Sequence, residues 1–218
     1  MKKQHFISSL LIVLGIIAAY FLVTQLHFLS IYTISSSSSA PNLLPGEIVF
    51  SSNLKEPERY DFVVFKLPDS TSNMVQRVCG MPGDTIEIFQ SNLYVGEYSP
   101  DDKDFKVKHF YIIHKNLLYS ISDMEYRQGH PIGNDSVFIG LTAKENKIVG
   151  EPEIAIPDVP NPIMKNKYGK PWGLVNFGPY IVPENSVFVL GDNRENSRDS
   201  RYFGCVAKND IVGTILFK

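Results

Sequence analysis

Residues 6–24 carry no charged side chain, and this single run sets the N-terminus apart from any ordinary globular core. As a helix it extends roughly 28 Å at ~1.5 Å per residue, close to the ~30 Å hydrocarbon core of a bilayer. Lys2 and Lys3 precede it and no Lys or Arg follows until Lys55. The positive-inside rule then puts the N-terminus in the cytoplasm and the rest of the chain outside. The expectation is a cytoplasmic end over 1–5, a single transmembrane anchor over 6–28 held in the lipid bilayer of the cell membrane, and an extracytoplasmic domain. A basic start, an apolar core and the small residues from Ser35 to Ala40 also meet the description of a cleaved secretory signal. The apolar character continues past Gln25, His27 and Ser30 to Ile34, beyond the ~7 to 15 residues of a signal core, which favours the retained anchor.

The remainder of the 218-residue chain is long enough to bury a sizeable core. Its net charge of -2 gives no basic footprint, so a nucleic-acid partner is set aside. Cys79 and Cys205 are the only cysteines. They lack the spacing of a zinc or thioredoxin-like motif, and either pair in one disulfide or stay as two thiols, with packing favouring thiols. Strand patterns over 61–66, 75–79, 85–89, 93–95, 186–190 and 211–217 predict a mainly β domain. Ser91-Asn92 reads as a hairpin turn. Residues 97–179 are rich in turn formers and read as an insertion of short strands and loops between core parts 31–96 and 180–218. His109 and His114 lie within it without a carboxylate constellation, so no metal or other cofactor is expected.

Three separated segments carry the chemistry: Ser36-Ser37-Ser38-Ser39-Ala40-Pro41-Asn42-Leu43, Gln76-Arg77-Val78-Cys79-Gly80-Met81-Pro82-Gly83-Asp84, and Gly191-Asp192-Asn193-Arg194-Glu195-Asn196-Ser197-Arg198-Asp199-Ser200-Arg201. They resemble, in order, the S-x-S-M-x-P-T-L, K-R-V-x-G-x-P-G-D and G-D-N-R-x-x-S-x-D-S-R boxes of signal peptidase I, a family of serine peptidases with a Ser/Lys dyad. The third match is the most specific, and the likeness covers 31–95 and 180–217. The resemblance implies an antiparallel β-sheet of barrel-like form behind the anchor, and removal of signal peptides from exported preproteins after small residues (Ala-x-Ala type). On the matching positions it makes Ser38 the nucleophile. The Ser38 backbone N–H and the Ser36 hydroxyl form the oxyanion hole, Ser197 orients the base, and Arg77, Asp192, Asp199 and Arg201 give structural support.

Two departures stand out. Ser39 and Asn42 replace the usual Met and Thr, so the register could shift to Ser37 or Ser39. Gln76 stands at the position of the general-base lysine. An amide accepts no proton at physiological pH, and loss of a base costs about 10² to 10⁴ in rate. Relatives of the endoplasmic reticulum carry His at that position, but no His stands near Gln76; Lys66 lies at an ordinary strand position. The rival expectations are a catalytically silent paralogue that binds signal-peptide regions or assists an active peptidase, and a purely structural surface protein.

Overall fold

The computed structural model describes residues 2–25, 28–68, 71–101, 106–121 and 129–218. Helix α1 (Lys2–Gln25) opens the chain; no proline interrupts it, and Leu, Ile and Ala propagate a helix well. Leu10, Leu11, Ile12, Val13 and Leu14 are all exposed, so apolar side chains stand on every face rather than along one stripe. Among the described residues no helix is long and apolar enough to cross a membrane. Residues 26 and 27 of the expected span 6–28 lie outside the described residues.

The body is mainly β, as the alternating patterns imply, and its paired strands run antiparallel, as the resemblance implies. β1 (Ser30–Thr33) and β2 (Ile48–Ser52) flank the serine run, and β3 (Phe62–Phe65) precedes β4 (Met74–Gly80), which carries the start of the second motif. The hairpin β5 (Thr85–Phe89) and β6 (Asn92–Val95) follows, then β7 (His109–His114), β8 (His130–Ile132) and β9 (Ser136–Leu141). After the short helices α2 (Ala143–Ile148) and α3 (Pro162–Tyr168) come β10 (Phe177–Ile181), β11 (Ser186–Leu190), α4 (Ser200–Phe203), β12 (Val206–Ala207) and β13 (Ile211–Phe217).

The hairpin turn sits one residue earlier than the sequence pattern indicates. Gln90 and Ser91 take φ of 49° and 67°, while Asn92 already pairs with Phe89. A two-residue hairpin needs positive φ at both central positions. Here the strained pair is held from outside: Gln90 N donates to Asn176 Oδ1 at 3.0 Å and Ser91 N to Val175 O at 2.9 Å.

The strands form a seven-stranded sheet of order β1-β2-β13-β3-β4-β11-β12 and two three-stranded sheets, β10-β5-β6 and β7-β9-β8. The last strand is inserted between β2 and β3; β4 pairs antiparallel with β11, so the loop after β11 that holds the third motif starts beside the second. Side chains alternate across β4. Val78 packs with Val63, Phe65, Val187, Val189 and Val206, whereas Cys79 packs on the other face with Ile86, Phe188 and Leu190. β4 is therefore buried on both sides, and Gln76 is 1% exposed.

Cys79 and Cys205 are both free thiols. Burial pushes the Cys79 thiol up to about 12, with Arg194 pulling weakly the other way. Since the thiolate is the reactive form, native protein is expected to leave Cys79 unalkylated by iodoacetamide at ~pH 8 and to yield it only on denaturation. Rapid native labelling at Cys79, read by mass spectrometry, would contradict this packing.

Candidate active site

Gln76 lies on β4 opposite Val63 of β3, with its amide turned toward the loop after β11. Its Nε2 donates to Ser197 Oγ at 3.1 Å and to the Arg198 carbonyl at 2.9 Å. Its Oε1 is buried and has no hydrogen-bond partner. An unsatisfied buried acceptor costs about 1–3 kcal/mol, so this pocket suits a donor better than an amide.

Gly191 joins this pair to the serine run by close approach. A Cβ at Gly191 would lie 2.2 Å from Ser197 Oγ and 2.5 Å from the Ser38 carbonyl oxygen. Those two groups therefore close on the same bare backbone position, and Ser38 is brought beside the Gln76–Ser197 contact. Gly191→Ala is expected to cost about 1–3 kcal/mol of stability by overpacking, measured as a lower thermal midpoint; an unchanged midpoint would mean that the loop shifts freely.

The four serines of 36–39 are used differently. Ser36 Oγ and Ser38 Oγ share a hydrogen bond of 2.9 Å. Ser37 Oγ accepts from Asn196 Nδ2 at 3.1 Å. Ser39 is 1% exposed and its hydroxyl donates to the Val75 carbonyl at 2.8 Å, which pins the run to β4 one residue before Gln76. The substitution of Ser for Met thus replaces apolar packing by a backbone bond. Asn193 holds the same run from the other side, its N–H donating to Ser38 O at 3.0 Å and its Nδ2 to Ser37 O at 3.1 Å.

Behind these groups stand three buried ion pairs. Arg77 makes a bidentate bond to Asp192 at 2.9 and 2.6 Å, and its guanidinium lies 4.1 Å above the Phe62 ring. Burial lifts the Asp192 carboxyl above its usual range, and Arg77 and Asn42 pull it part of the way back. Asn42, which replaces the usual Thr, reaches both Asp192 Oδ2 at 2.7 Å and Lys106 O at 2.6 Å. Asp199 caps α4 and holds Arg201 at 2.8 Å. Arg194 pairs with Asp101, both almost wholly buried. Burial pulls the Arg194 guanidinium down, but the charge and hydrogen bonds of Asp101 outweigh it and hold it above its usual value.

Sequence reasoning assigned no role to Asn193, Asn196 or Asp101. The two asparagines were visible in the third motif, but their bonds to Ser37 and Ser38 depend on a loop more than 150 positions away. Asp101 had no signal, because its partner Arg194 is 93 positions distant. His109 and His114 have structural partners: His109 Nδ1 lies 2.9 Å from Glu195 Oε1, and His114 Nδ1 accepts from Asn116 N at 3.3 Å. Chemically, the arrangement offers paired hydroxyls at Ser36 and Ser38 and a buried side chain at 76 oriented by a third hydroxyl.

A family model described as "Signal peptidase, peptidase S26" matches residues 4–218. Signal peptidase I of Aquifex aeolicus is 29% identical, over 98% of this chain and 82% of the relative. Signal peptidase I of Streptococcus pneumoniae is also 29% identical, over 95% of this chain and 88% of the relative. A crystal structure of a signal peptidase I from Enterococcus faecalis V583 is 24% identical, covering 74% of this chain and 98% of that one, at a TM-score of 0.39.

Proposed function

Because the chain belongs to the signal peptidase, peptidase S26, family, we propose that it is a signal peptidase I-type protein whose site receives the cleavage region of exported preproteins, with Ser38 placed for attack and a neutral amide where the base belongs. The observation that carries this reading is the pair of hydrogen bonds that Gln76 Nε2 donates to Ser197 Oγ and Arg198 O, beside the Ser38 carbonyl at Gly191. A base-bearing side chain at 76 would have both acceptors ready for it.

In the reaction, Ser38 Oγ attacks the carbonyl carbon of the scissile bond, and the resulting oxyanion is met by the Ser38 N–H and the Ser36 hydroxyl. The hydrogen bond between the Ser36 and Ser38 hydroxyls supports Ser38 over its neighbours, since Ser39 is spent on Val75 and Ser37 on Asn196. Proton removal is the weak step. Gln76 cannot perform it, so cleavage is slow and the site acts first as a peptide-binding site; the same amide supports the second reading, a paralogue that binds signal-peptide regions without cutting. Preproteins with small residues before the cut bind as an extended strand.

Helix α1 anchors the protein in this proposal. The described helix by itself falls short of a span; the anchor reading rests on the uncharged run of residues 6–24 and on Leu10 to Leu14, exposed around the helix rather than along one face. Leu29, Ile31, Ile48 and Leu54 are also exposed. Carbonate extraction and protease protection of the full chain test this placement; release by carbonate would defeat it. The catalytic test is cleavage of an Ala-x-Ala preprotein by the chain as it stands and by Gln76→Lys, each with and without Ser38→Ala.

A further inference from the structure

A trans peptide unit is planar, so the Ser37 carbonyl and the Ser38 N–H are two ends of one rigid plane and point in opposite directions. Whatever fixes the Ser37 oxygen therefore aims the Ser38 N–H, the donor that meets the oxyanion. The Ser37 oxygen is gripped twice: Ala40 N donates to it across the turn at 3.1 Å, and Asn193 Nδ2 donates to it at 3.1 Å. The next plane is held as well, since Asn193 N donates to the Ser38 oxygen at 3.0 Å. Asn193 thus binds both peptide planes that meet at the Ser38 Cα. Among the described residues no acceptor meets the Ser38 N–H.

Asn193 is itself held firmly. Its chain neighbours bracket the backbone of Lys108 in the insertion: Lys108 N donates to Asp192 O at 2.7 Å and Arg194 N to Lys108 O at 3.0 Å. The residue is 6% exposed, and its Oδ1 is buried without a hydrogen-bond partner. An unpaired buried acceptor works against stability, so an amide suits this position poorly as a purely structural post; what it supplies is the Nδ2 donor. A hydrogen bond accepted by a peptide oxygen also polarises the plane and strengthens the N–H at its far end.

We propose that Asn193 is the positioning residue of the oxyanion hole: its side-chain amide, acting through the Ser37–Ser38 peptide plane, aims and strengthens the Ser38 N–H. The insertion, by holding Asn193 through the Lys108 backbone, keeps that donor in place. The inference rests on the reading of Ser38 as nucleophile and adds to it the group that prepares the hole. The effect reaches the oxygen only through the plane and grows with the charge there, so it belongs to the transition state rather than to ground-state binding.

The test uses the full chain in detergent with two substitutions. Asn193→Ala drops the donor together with the unpaired acceptor, and Asn193→Asp keeps the shape but turns an acceptor toward Ser37 O. In a Gln76→Lys background, cleavage of an Ala-x-Ala peptide is expected to lose about 10- to 100-fold in kcat with KM within about twofold, short of the ~10² to 10³ that follows outright removal of a donor. A second arm needs no base. An Ala-x-Ala peptide trifluoromethyl ketone adds to the chain with Gln76 in place: Ser38 Oγ bonds the ketone carbon, the carbonyl electron pair moves to its oxygen, and the hydroxyl proton passes to solvent. NMR of the isotope-labelled carbon follows ionisation of that oxygen, with Ser38→Ala as the blank. Both Asn193 substitutions should raise its pKa by about one unit, a tenfold weaker hold on the charge. An adduct pKa that neither moves overturns the positioning role, whatever happens to KM or the thermal midpoint; where only cleavage is seen, an unchanged kcat does the same. A silent Gln76→Lys chain whose adduct still answers to Asn193 defeats the cleavage reading and upholds this one. With no adduct at Ser38 and no cleavage, both fail.

Discussion

Gln76→Lys raises Ser38-dependent cleavage of an Ala-x-Ala preprotein by at least about 10² over the chain as it stands, within the 10² to 10⁴ that a positioned base contributes. The substitution suits the site on three counts. It removes Oε1, the buried acceptor that has no partner. It brings an amine to two oxygens already arranged around a nitrogen, Ser197 Oγ and Arg198 O. It also places that amine where residue 76 is 1% exposed, and desolvation disfavours the charged ammonium, shifting a lysine toward the neutral form that can take a proton. The rate should therefore rise with pH through a depressed lysine pKa, below the ~10.4 of a free side chain. Full activity in the unsubstituted chain, or a Gln76→Lys activity that persists in Ser38→Ala, would show that the proton acceptor or the nucleophile lies elsewhere.

Asp101→Ala is expected to cost about 3–5 kcal/mol, the usual penalty for leaving a buried charge without its partner, and to lower Tm by roughly 10 °C for a chain of this size. Arg194 and Asp101 have side chains exposed by only 1% and 2%. Without the carboxylate the buried guanidinium loses its ion-pair partner, its Nε already lacks a hydrogen bond, and the charge of Asp192 acts on it without a hydrogen bond. The loss reaches the site, because Arg194 follows Asn193, which holds Ser37 and Ser38. Asp101→Leu combined with Arg194→Met should recover most of the stability, since apolar replacement of a buried pair is often neutral. A calorimetric Tm for Asp101→Ala within about 2 °C of the parent would mean that water reaches the pair and that it does not hold the loop.

The sequence by itself determined the mainly β class, the uncharged run over 6–24 and the family. Each of these rests on local information: alternation along a strand, absence of charge along a run, or fixed residue types at fixed short spacings. The third motif also carried its own ion pair, Asp199 with Arg201, because two positions around a helix cap are close whatever the fold. Only the tertiary structure decided which serine hydroxyls are spent and which remain paired. That depends on Val75 lying beside Ser39 and Asn196 beside Ser37, across 36 and 159 positions. It likewise decided that the insertion is bound to the site through Asp101, Lys108 and His109. Contacts between distant segments follow from sheet order and loop closure, which place β4 beside β11 and the loop that follows it. The departure at Gln76 was readable in the sequence; the two oxygens its amide faces, Ser197 Oγ and Arg198 O, were not.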